Sequence, residues 1–261
     1  MKIGFIQYHP QFGEKKKNFQ HLRLLTRGVK ADLLVLPELF ATGYTFTSHQ
    51  EVESLAEPTD GETTVFLQEL SRTTGAIIVG GFAEKMEGKI YNTAIVVKKA
   101  EILGIYRKVH LFYKEKLWFT PGHCGFQVFE LENFKLGVMI CFDWIFPEAC
   151  RSLALQGAEI IAHPANLVLP YCQRAMITRS LENRVYTITA NRYGEEKRGT
   201  DHFNFTGKSQ ITDPTGNLLA SAPEQSDSIQ IVEIDSAAAR DKQLNTYNDL
   251  FKDRNITLYK L

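Results

Sequence analysis

Chemistry in this 261-residue chain concentrates at three residues, each just past an apolar run. Cys141 ends Phe134–Cys141, and a helix opens soon after at Pro147. A thiol at a sharp strand-to-helix turn is presented to substrate and leaves the next backbone N–H free for an oxyanion. The ordinary alternative is an inert core cysteine, which suits Cys150 inside a helix better. A thiol titrating near ~8.5 is mostly protonated at neutral pH and needs a base or a cation. Glu38 follows Asp32-Leu-Leu-Val-Leu-Pro37, and Lys108 follows the run ending at Tyr106. A carboxylate partly desolvated behind a strand end has a raised pKa. It can take the thiol proton and return it to a leaving amine. An ammonium beside it favours thiolate and holds the oxyanion, and losing one such donor costs roughly 3–4 kcal/mol of barrier. Histidine is the more usual partner of a nucleophilic cysteine, so His110 and His163 define a rival arrangement. Taken singly, Glu38 and Lys108 read as solvated charges; their shared position beyond apolar strands is what pairs them.

The elements that must position these groups alternate. Lys2–Gln7, Asp32–Pro37, Gly75–Phe82, Ile90–Val97 and Glu101–Tyr106 read as strands. Glu14–Lys30 carries Phe19, Leu22, Leu25 and Val29 at helical spacing, and Thr63–Thr74 is a second helix. A further set follows: strands Phe126–Glu130, Phe134–Cys141, Glu159–His163 and Tyr186–Asn191, with helices Pro147–Gln156 and Cys172–Val185. Gly207–Thr212 and Ser228–Ile234 read as antiparallel strands around the turn Asp213-Pro-Thr-Gly216. The tail 236–261 starts helical and becomes irregular. The two sets repeat: Lys2-Ile-Gly-Phe-Ile-Gln parallels Lys135-Leu-Gly-Val-Met-Ile, and Ala31–Pro37 parallels Ala158–Pro164. Two pseudo-symmetric α/β halves are expected, each a sheet covered by helices. No Gly/Ser/Pro linker divides them, so 1–261 is expected to form a single domain.

Lys+Arg and Asp+Glu both number 30, so the net charge is zero and no electrostatic footprint points to nucleic acid or an anionic membrane. Lys15-Lys16-Lys17 reads as the solvated start of a helix. No apolar run approaches the roughly 18 residues of a membrane span, and the N-terminal apolar stretch is too short for a signal peptide. A cytoplasmic protein is expected. Cys124, Cys141, Cys150 and Cys172 are then free thiols, with no CxxC pair for zinc or redox work.

Three segments together resemble the nitrilase superfamily, the carbon–nitrogen hydrolases: Leu-Pro-Glu38-Leu-Phe-Ala-Thr-Gly-Tyr44, Tyr-Arg-Lys108-Val-His-Leu-Phe112, and Gly-Val-Met-Ile-Cys141-Phe-Asp-Trp-Ile-Phe-Pro-Glu148. The likeness continues through Gly157–Pro164, Leu181-Glu-Asn-Arg184 and Gly207-Lys-Ser209. It implies an αββα sandwich pairing as αββα–αββα in a homodimer, with 236–261 as a tail at the interface. It implies Glu38 as general base, Cys141 as nucleophile and Lys108 as stabiliser of the tetrahedral intermediate, with the Phe142 N–H as second oxyanion donor. Glu115 matches a further glutamate that positions substrate or water, and His110 becomes scaffold. Attack by sulfur releases ammonia or an amine, and water then clears a thioester, with no metal or organic cofactor. Tyr44, Trp144 and Asn166 are candidates for substrate contact in a short, mostly apolar pocket. Asp143, Arg174 and Arg184 are expected to form a structural charge network.

Phe142-Asp143 after the nucleophile is closer to amidase branches than the Trp-Glu of nitrile-cleaving ones, so a small aliphatic amide is the expected substrate. A nitrile or an N-carbamoyl compound is the alternative. Outside this reading stand a non-catalytic binding protein, against which the intact triad argues, and a Cys-His-Glu glutaminase, which would need His110 or His163. A lipoprotein acyltransferase would need membrane helices that the sequence lacks.

Overall fold

The computed structural model describes residues 1–259. The chain runs β1 (Lys2–Gln7), α1 (Lys15–Leu25), β2 (Leu33–Val35), α2 (His49–Leu55), α3 (Glu62–Thr74), β3 (Ile77–Met86), β4 (Lys89–Lys98), β5 (Glu101–Arg107) and α4 (Glu115–Trp118). It continues through β6 (Val128–Glu130), β7 (Lys135–Val138), a 3-10 turn (Cys141–Ile145), α5 (Pro147–Leu155), β8 (Ile160–Ala165), α6 (Cys172–Asn183) and β9 (Tyr186–Asn191). The hairpin β10 (Tyr193–Arg198) and β11 (Asp201–Thr206) follows, then β12 (Gln210–Thr212), β13 (Leu218–Ser221) and β14 (Ser228–Glu233).

Two six-stranded sheets form, in the orders β14-β1-β2-β3-β4-β5 and β6-β7-β8-β9-β12-β13. In the first, β1, β2 and β3 are parallel and their neighbours antiparallel. The second repeats this, with β7, β8 and β9 parallel and β6, β12 and β13 antiparallel outside them. The internal repeat seen in the sequence is therefore a repeat of topology. Parallel neighbours need a crossover, and α1, α3, α5 and α6 supply it.

The sheets pack face to face and the helices cover their outer faces. Ile3, Phe5, Leu33, Val35, Val79 and Val96 share one core with Leu136, Val138, Ile160, Ala162 and Ile188. Alternate residues of the first sheet, among them Ile6, Leu34, Leu36, Ile78 and Ile95, pack against Phe19, Leu22, Phe66 and Leu67 of α1 and α3. Both faces of the central strands are buried, which is why they read as unbroken apolar runs. Each fully buried aliphatic side chain contributes about 1.5–3 kcal/mol, so the strand ends that bear the site are held by the core itself.

Several boundaries and one pairing differ from the sequence expectation. The first helix stops at Leu25, where Thr26 Oγ1 hydrogen-bonds to Leu22 O at 2.7 Å and the chain turns through Gly28. β12 pairs with β13 across the Asp213–Gly216 turn, whereas β14 crosses to the other sheet and pairs with β1. Asp213 Oδ1 accepts from Thr215 N and Asn217 N at 2.8 and 2.9 Å, tightening the turn so that the next four-residue stretch pairs back. The β10–β11 hairpin lies outside the sequence expectation: β10 is mostly polar, although Phe203 and Phe205 alternate with His202 and Asn204 on β11. So does α2, capped by Ser48 accepting from Glu51 N.

Candidate active site

Ends of both sheets converge on one point. Glu38 lies three residues beyond β2, where Leu39 adopts a left-handed φ of 47°. Gly81 of β3 passes directly behind it: a Cβ there would lie 2.8 Å from both Glu38 Cα and Leu39 N. Lys108 follows β5, its backbone N donating to Asn92 O on β4 at 2.8 Å. Glu115 opens α4. Cys141 arrives from the second sheet, three residues past β7, with φ of 41° as the chain enters its 3-10 turn. Glu38, Lys108, Glu115 and Cys141 are all at most 5% exposed.

Lys108 Nζ donates to Glu38 Oε1 at 2.7 Å and to Glu115 Oε1 at 2.8 Å. Glu38 Oε1 also accepts from Asn92 Nδ2 at 2.7 Å, while Asn166 Nδ2 donates to the Glu38 carbonyl at 2.9 Å. Glu38 Oε2 is buried with no hydrogen-bond partner. Glu115 further accepts from Tyr44 OH at 2.7 Å and from Phe112 N at 3.2 Å. Tyr44 is fixed in turn by Glu196, which accepts from the backbone of Tyr44 and Thr45 and pairs with buried Arg192.

Burial and charge act against each other here. Burial alone would lower the Lys108 pKa, but Glu115 and Glu38 outweigh it and hold the ammonium above its ordinary value. Burial, assisted by the charge of Glu38, pushes Glu115 up to about 7 against the opposing pull of Lys108 and Tyr44. Cys141 is raised well above the ordinary thiol value, first by burial and then by Glu38. Lys108 and the Asn166 backbone N–H oppose this but do not win. Lys108 pulls toward thiolate, but burial and the two carboxyl groups outweigh it and hold the thiol pKa up.

The 3-10 turn that carries Cys141 has its own buttress. Asp143 Oδ2 accepts from Ile140 N at 2.9 Å and Tyr106 OH at 2.7 Å, and Oδ1 accepts from His110 N at 3.2 Å and sits 2.8 Å from His110 Nδ1. The His110 ring stacks on Phe146 with centroids 3.8 Å apart. His163, lowered to about 4 by burial, is neutral; its Nε2 donates to the Cys141 carbonyl at 2.9 Å and its Nδ1 meets Thr189 Oγ1 at 3.1 Å. Both histidines are thus engaged by scaffold rather than by the thiol. The expected Asp143–Arg174–Arg184 network does not form. Asp143 binds His110 and Tyr106, Arg184 caps α6 and reaches toward Asp241, and Arg174 lines a separate surface groove with Lys208 and Glu224.

A narrow, largely apolar cleft opens beside Cys141, walled by Phe112, Phe142, Trp144, Asn166, Leu167 and Val168. Phe142, Trp144 and Asn166 therefore gather beside the thiol. Tyr44 does not line this cleft; with Glu115 and Phe203 it borders a second, small depression. Sequence reasoning missed Asn92, Asn166's hold on the Glu38 carbonyl, and Glu196. For Asn92 a signal was present: an asparagine inside the apolar run Ile90–Val97.

Fold and site together define a class of protein: an αββα sandwich whose strand ends collect a thiol, an ammonium and two carboxyl groups. A family model described as carbon-nitrogen hydrolase matches residues 2–243, and the chain belongs to that family, the nitrilase superfamily. It is similar to a protein named nitrilase from Pyrococcus abyssi (strain GE5 / Orsay), 49% identical over 99% of each chain. An N-carbamoylputrescine amidase from Solanum lycopersicum is 34% identical, over 88% of this chain and 83% of its own. Among solved structures, a carbon-nitrogen hydrolase from Helicobacter pylori G27 superimposes with a TM-score of 0.87 at 29% identity, covering 99% of this chain and 97% of that one. The chain is accordingly a carbon–nitrogen hydrolase of the nitrilase superfamily. No helix among the described residues is long and apolar enough to cross a membrane.

Proposed function

We propose that the enzyme hydrolyses a small, uncharged aliphatic amide to the carboxylic acid and ammonia, with Cys141 as nucleophile, Glu38 as general base and acid, Lys108 as oxyanion stabiliser and Glu115 as positioning carboxyl. The observation that carries this reading is the buried Lys108 bridging Glu38 and Glu115 while Glu38 Oε2 stays unpaired. The thiol proton passes to Glu38 Oε2 as sulfur attacks the carbonyl carbon. Lys108 Nζ and the Phe142 N–H hold the tetrahedral oxyanion. Glu38 returns the proton to nitrogen, ammonia leaves, and a Cys141 thioester remains. Glu38 next takes a proton from water, whose oxygen attacks the thioester; collapse returns the thiol and releases the acid. Starting from a neutral thiol, the sequence needs no preformed thiolate.

The cleft supports a short apolar acyl group: Phe112, Phe142, Trp144, Leu167 and Val168 surround the one amide side chain of Asn166. No carboxylate lines it among the described residues, so nothing there would hold the distal ammonium of an amine-tailed carbamoyl compound. The second reading is a nitrile substrate, favoured by the name of the Pyrococcus abyssi relative. The deciding measurement is kcat/KM for amides and nitriles of identical carbon skeleton. Amides winning supports the proposal; nitriles winning by tenfold, about 1.4 kcal/mol of transition-state preference, replaces it with the nitrilase reading.

The same proposal includes one domain over 1–261 and a homodimer in which α5, α6 and the tail 236–261 meet a second copy. Leu155 and Leu181 on the two helices, and Leu244, Tyr247, Ile256 and Leu258 on the tail, are large exposed apolar side chains that support an interface there. Residues 260–261 of the tail lie outside the described residues. All four cysteines are free thiols, in keeping with a reducing cytoplasmic setting.

A further inference from the structure

Asn92 occupies an unusual place. It lies on β4 two residues before Ala94 and four before Val96, on the strand face that those residues bury in the sandwich core. It is fully buried. A primary amide in such surroundings is costly unless its polar atoms are engaged. Its side-chain Nδ2 donates to Glu38 Oε1 at 2.7 Å and its main-chain oxygen accepts from Lys108 N at 2.8 Å, while its Oδ1 is buried without a partner, a cost set against that single grip on Glu38. One residue therefore grips both the carboxylate and the backbone of the lysine that bonds to it.

The orientation of the amide is determined by its partner. Glu38 Oε1 already accepts from Lys108 Nζ, so the Asn92 atom facing it must be the donor nitrogen. With two donors on Oε1, a proton carried by Glu38 has its place on Oε2, the oxygen with no partner. Asparagine does not titrate, so it holds the carboxylate without competing for the proton. Lys108 alone would fix the distance to Oε1 but not the rotation of the carboxylate plane; a second donor to the same oxygen fixes both.

We infer that Asn92 is a positioning residue: it locks Glu38 and Lys108 together and leaves Glu38 Oε2 as the one oxygen free to move protons in both halves of the reaction. This rests on the reading of Glu38 as base. Misplacing a reacting group by about 1 Å can cost on the order of 100-fold in rate, and the loss falls on turnover because Asn92 does not line the substrate cleft.

The test uses the full-length enzyme with whichever amide the wild type turns over best. Asn92→Ala is expected to lower kcat by about 100-fold with KM within about threefold of wild type. Asn92→Asp keeps the size but sets a second carboxyl against Glu38. The two then share a proton, so the acid limb of the kcat/KM profile moves to higher pH. A merely structural residue would alter thermal stability and leave that limb in place. Asn92→Ala retaining kcat, or Asn92→Asp with an unmoved acid limb, overturns the inference; should the alanine variant not fold, the isosteric aspartate variant decides. Glu38→Gln is measured alongside. Normal turnover by Glu38→Gln would refute the base assignment and this inference with it, whereas an inactive Glu38→Gln beside a fully active Asn92→Ala overturns only the role of Asn92.

Discussion

Replacing Lys108 by methionine is the most informative perturbation of this site. Methionine fills a similar volume, so the change removes a charge and its hydrogen bonds rather than opening a cavity. Two contacts go, to Glu38 Oε1 at 2.7 Å and Glu115 Oε1 at 2.8 Å, and both carboxyl groups stay buried. Breaking a buried ion pair by removing one partner costs about 3–5 kcal/mol, because the other charge is left uncompensated. The cheapest relief is protonation: the two carboxyls share a proton and their folded-state pKa values rise.

The sign of the pH dependence follows. A carboxyl raised above its unfolded value binds more protons in the folded state, so stability is fully present below the unfolded value and falls as pH rises toward the folded one. The stability gap between wild type and Lys108→Met should therefore be wider at pH 8 than at pH 5, as read by urea unfolding at both. Turnover should drop at least about 10³-fold, since the variant loses an oxyanion donor, worth 10² to 10³, and has its base partly neutralised. His110→Asn, which touches Asp143 and not the thiol, should be milder. A Lys108→Met variant with wild-type stability at both pH values, or with more than about a tenth of wild-type activity, would show that Lys108 is not the charge that holds this site together.

Other outcomes test the remaining links. Rapid quench during turnover should trap the substrate acyl group on Cys141 alone, with Cys141→Ala folded and inactive; a mass adduct on Cys124, Cys150 or Cys172 would refute the nucleophile assignment. Glu115, raised from 4.5 to about 7, makes the wild type lose stability as pH climbs between those values, and Glu115→Gln should flatten that fall in urea unfolding curves. An unchanged slope would mean that Glu115 titrates normally. Light scattering should return a dimer at micromolar concentration, and a monomer of the 29.7 kDa chain would rule out the proposed interface.

The sandwich was legible because its central strands are buried on both faces. Leu33-Leu34-Val35 and Ile160-Ile161-Ala162 advertise this as unbroken apolar runs, and the helices between them carry apolar stripes. The β10–β11 hairpin was not legible, since Tyr193-Gly-Glu-Glu-Lys-Arg198 pairs through its backbone and buries chiefly Glu196 along its length. The partner of β14 was not legible either, because adjacency in sequence favours β13 while the chain crosses to the other sheet to pair with β1. Within the site, Glu38, Lys108 and Cys141 could be singled out from their places after apolar runs only together with the family resemblance. The protonation state of Cys141 could not, because it depends on how near two carboxyls lie and how little water reaches them.

Charge bookkeeping across the site gives the substrate reading its last support. Lys108 contributes one positive charge, Cys141 rests neutral, and Glu115 at about 7 is divided between its two forms near neutrality. With Glu38 taken as the proposed base carboxylate, the cluster sits between zero and one negative charge, its four residues at most 5% exposed. An uncharged amide enters such a place without an electrostatic cost, while an anionic acyl group would meet Glu38 across a medium that screens poorly. During attack the negative charge moves from the Glu38 carboxylate to the oxyanion beside Lys108, and no new net charge is created. The product differs: it is an acid whose ionised form brings a carboxylate up against the Glu38–Lys108–Glu115 cluster beside Cys141. Repulsion then favours departure over rebinding, so the arrangement that admits a neutral amide also expels its hydrolysis product. Product inhibition should accordingly weaken as pH rises through about 7 and Glu115 ionises. Inhibition by the product acid that strengthens from pH 6 to pH 8 would place the positive charge of Lys108, rather than the carboxyl pair, in control of release.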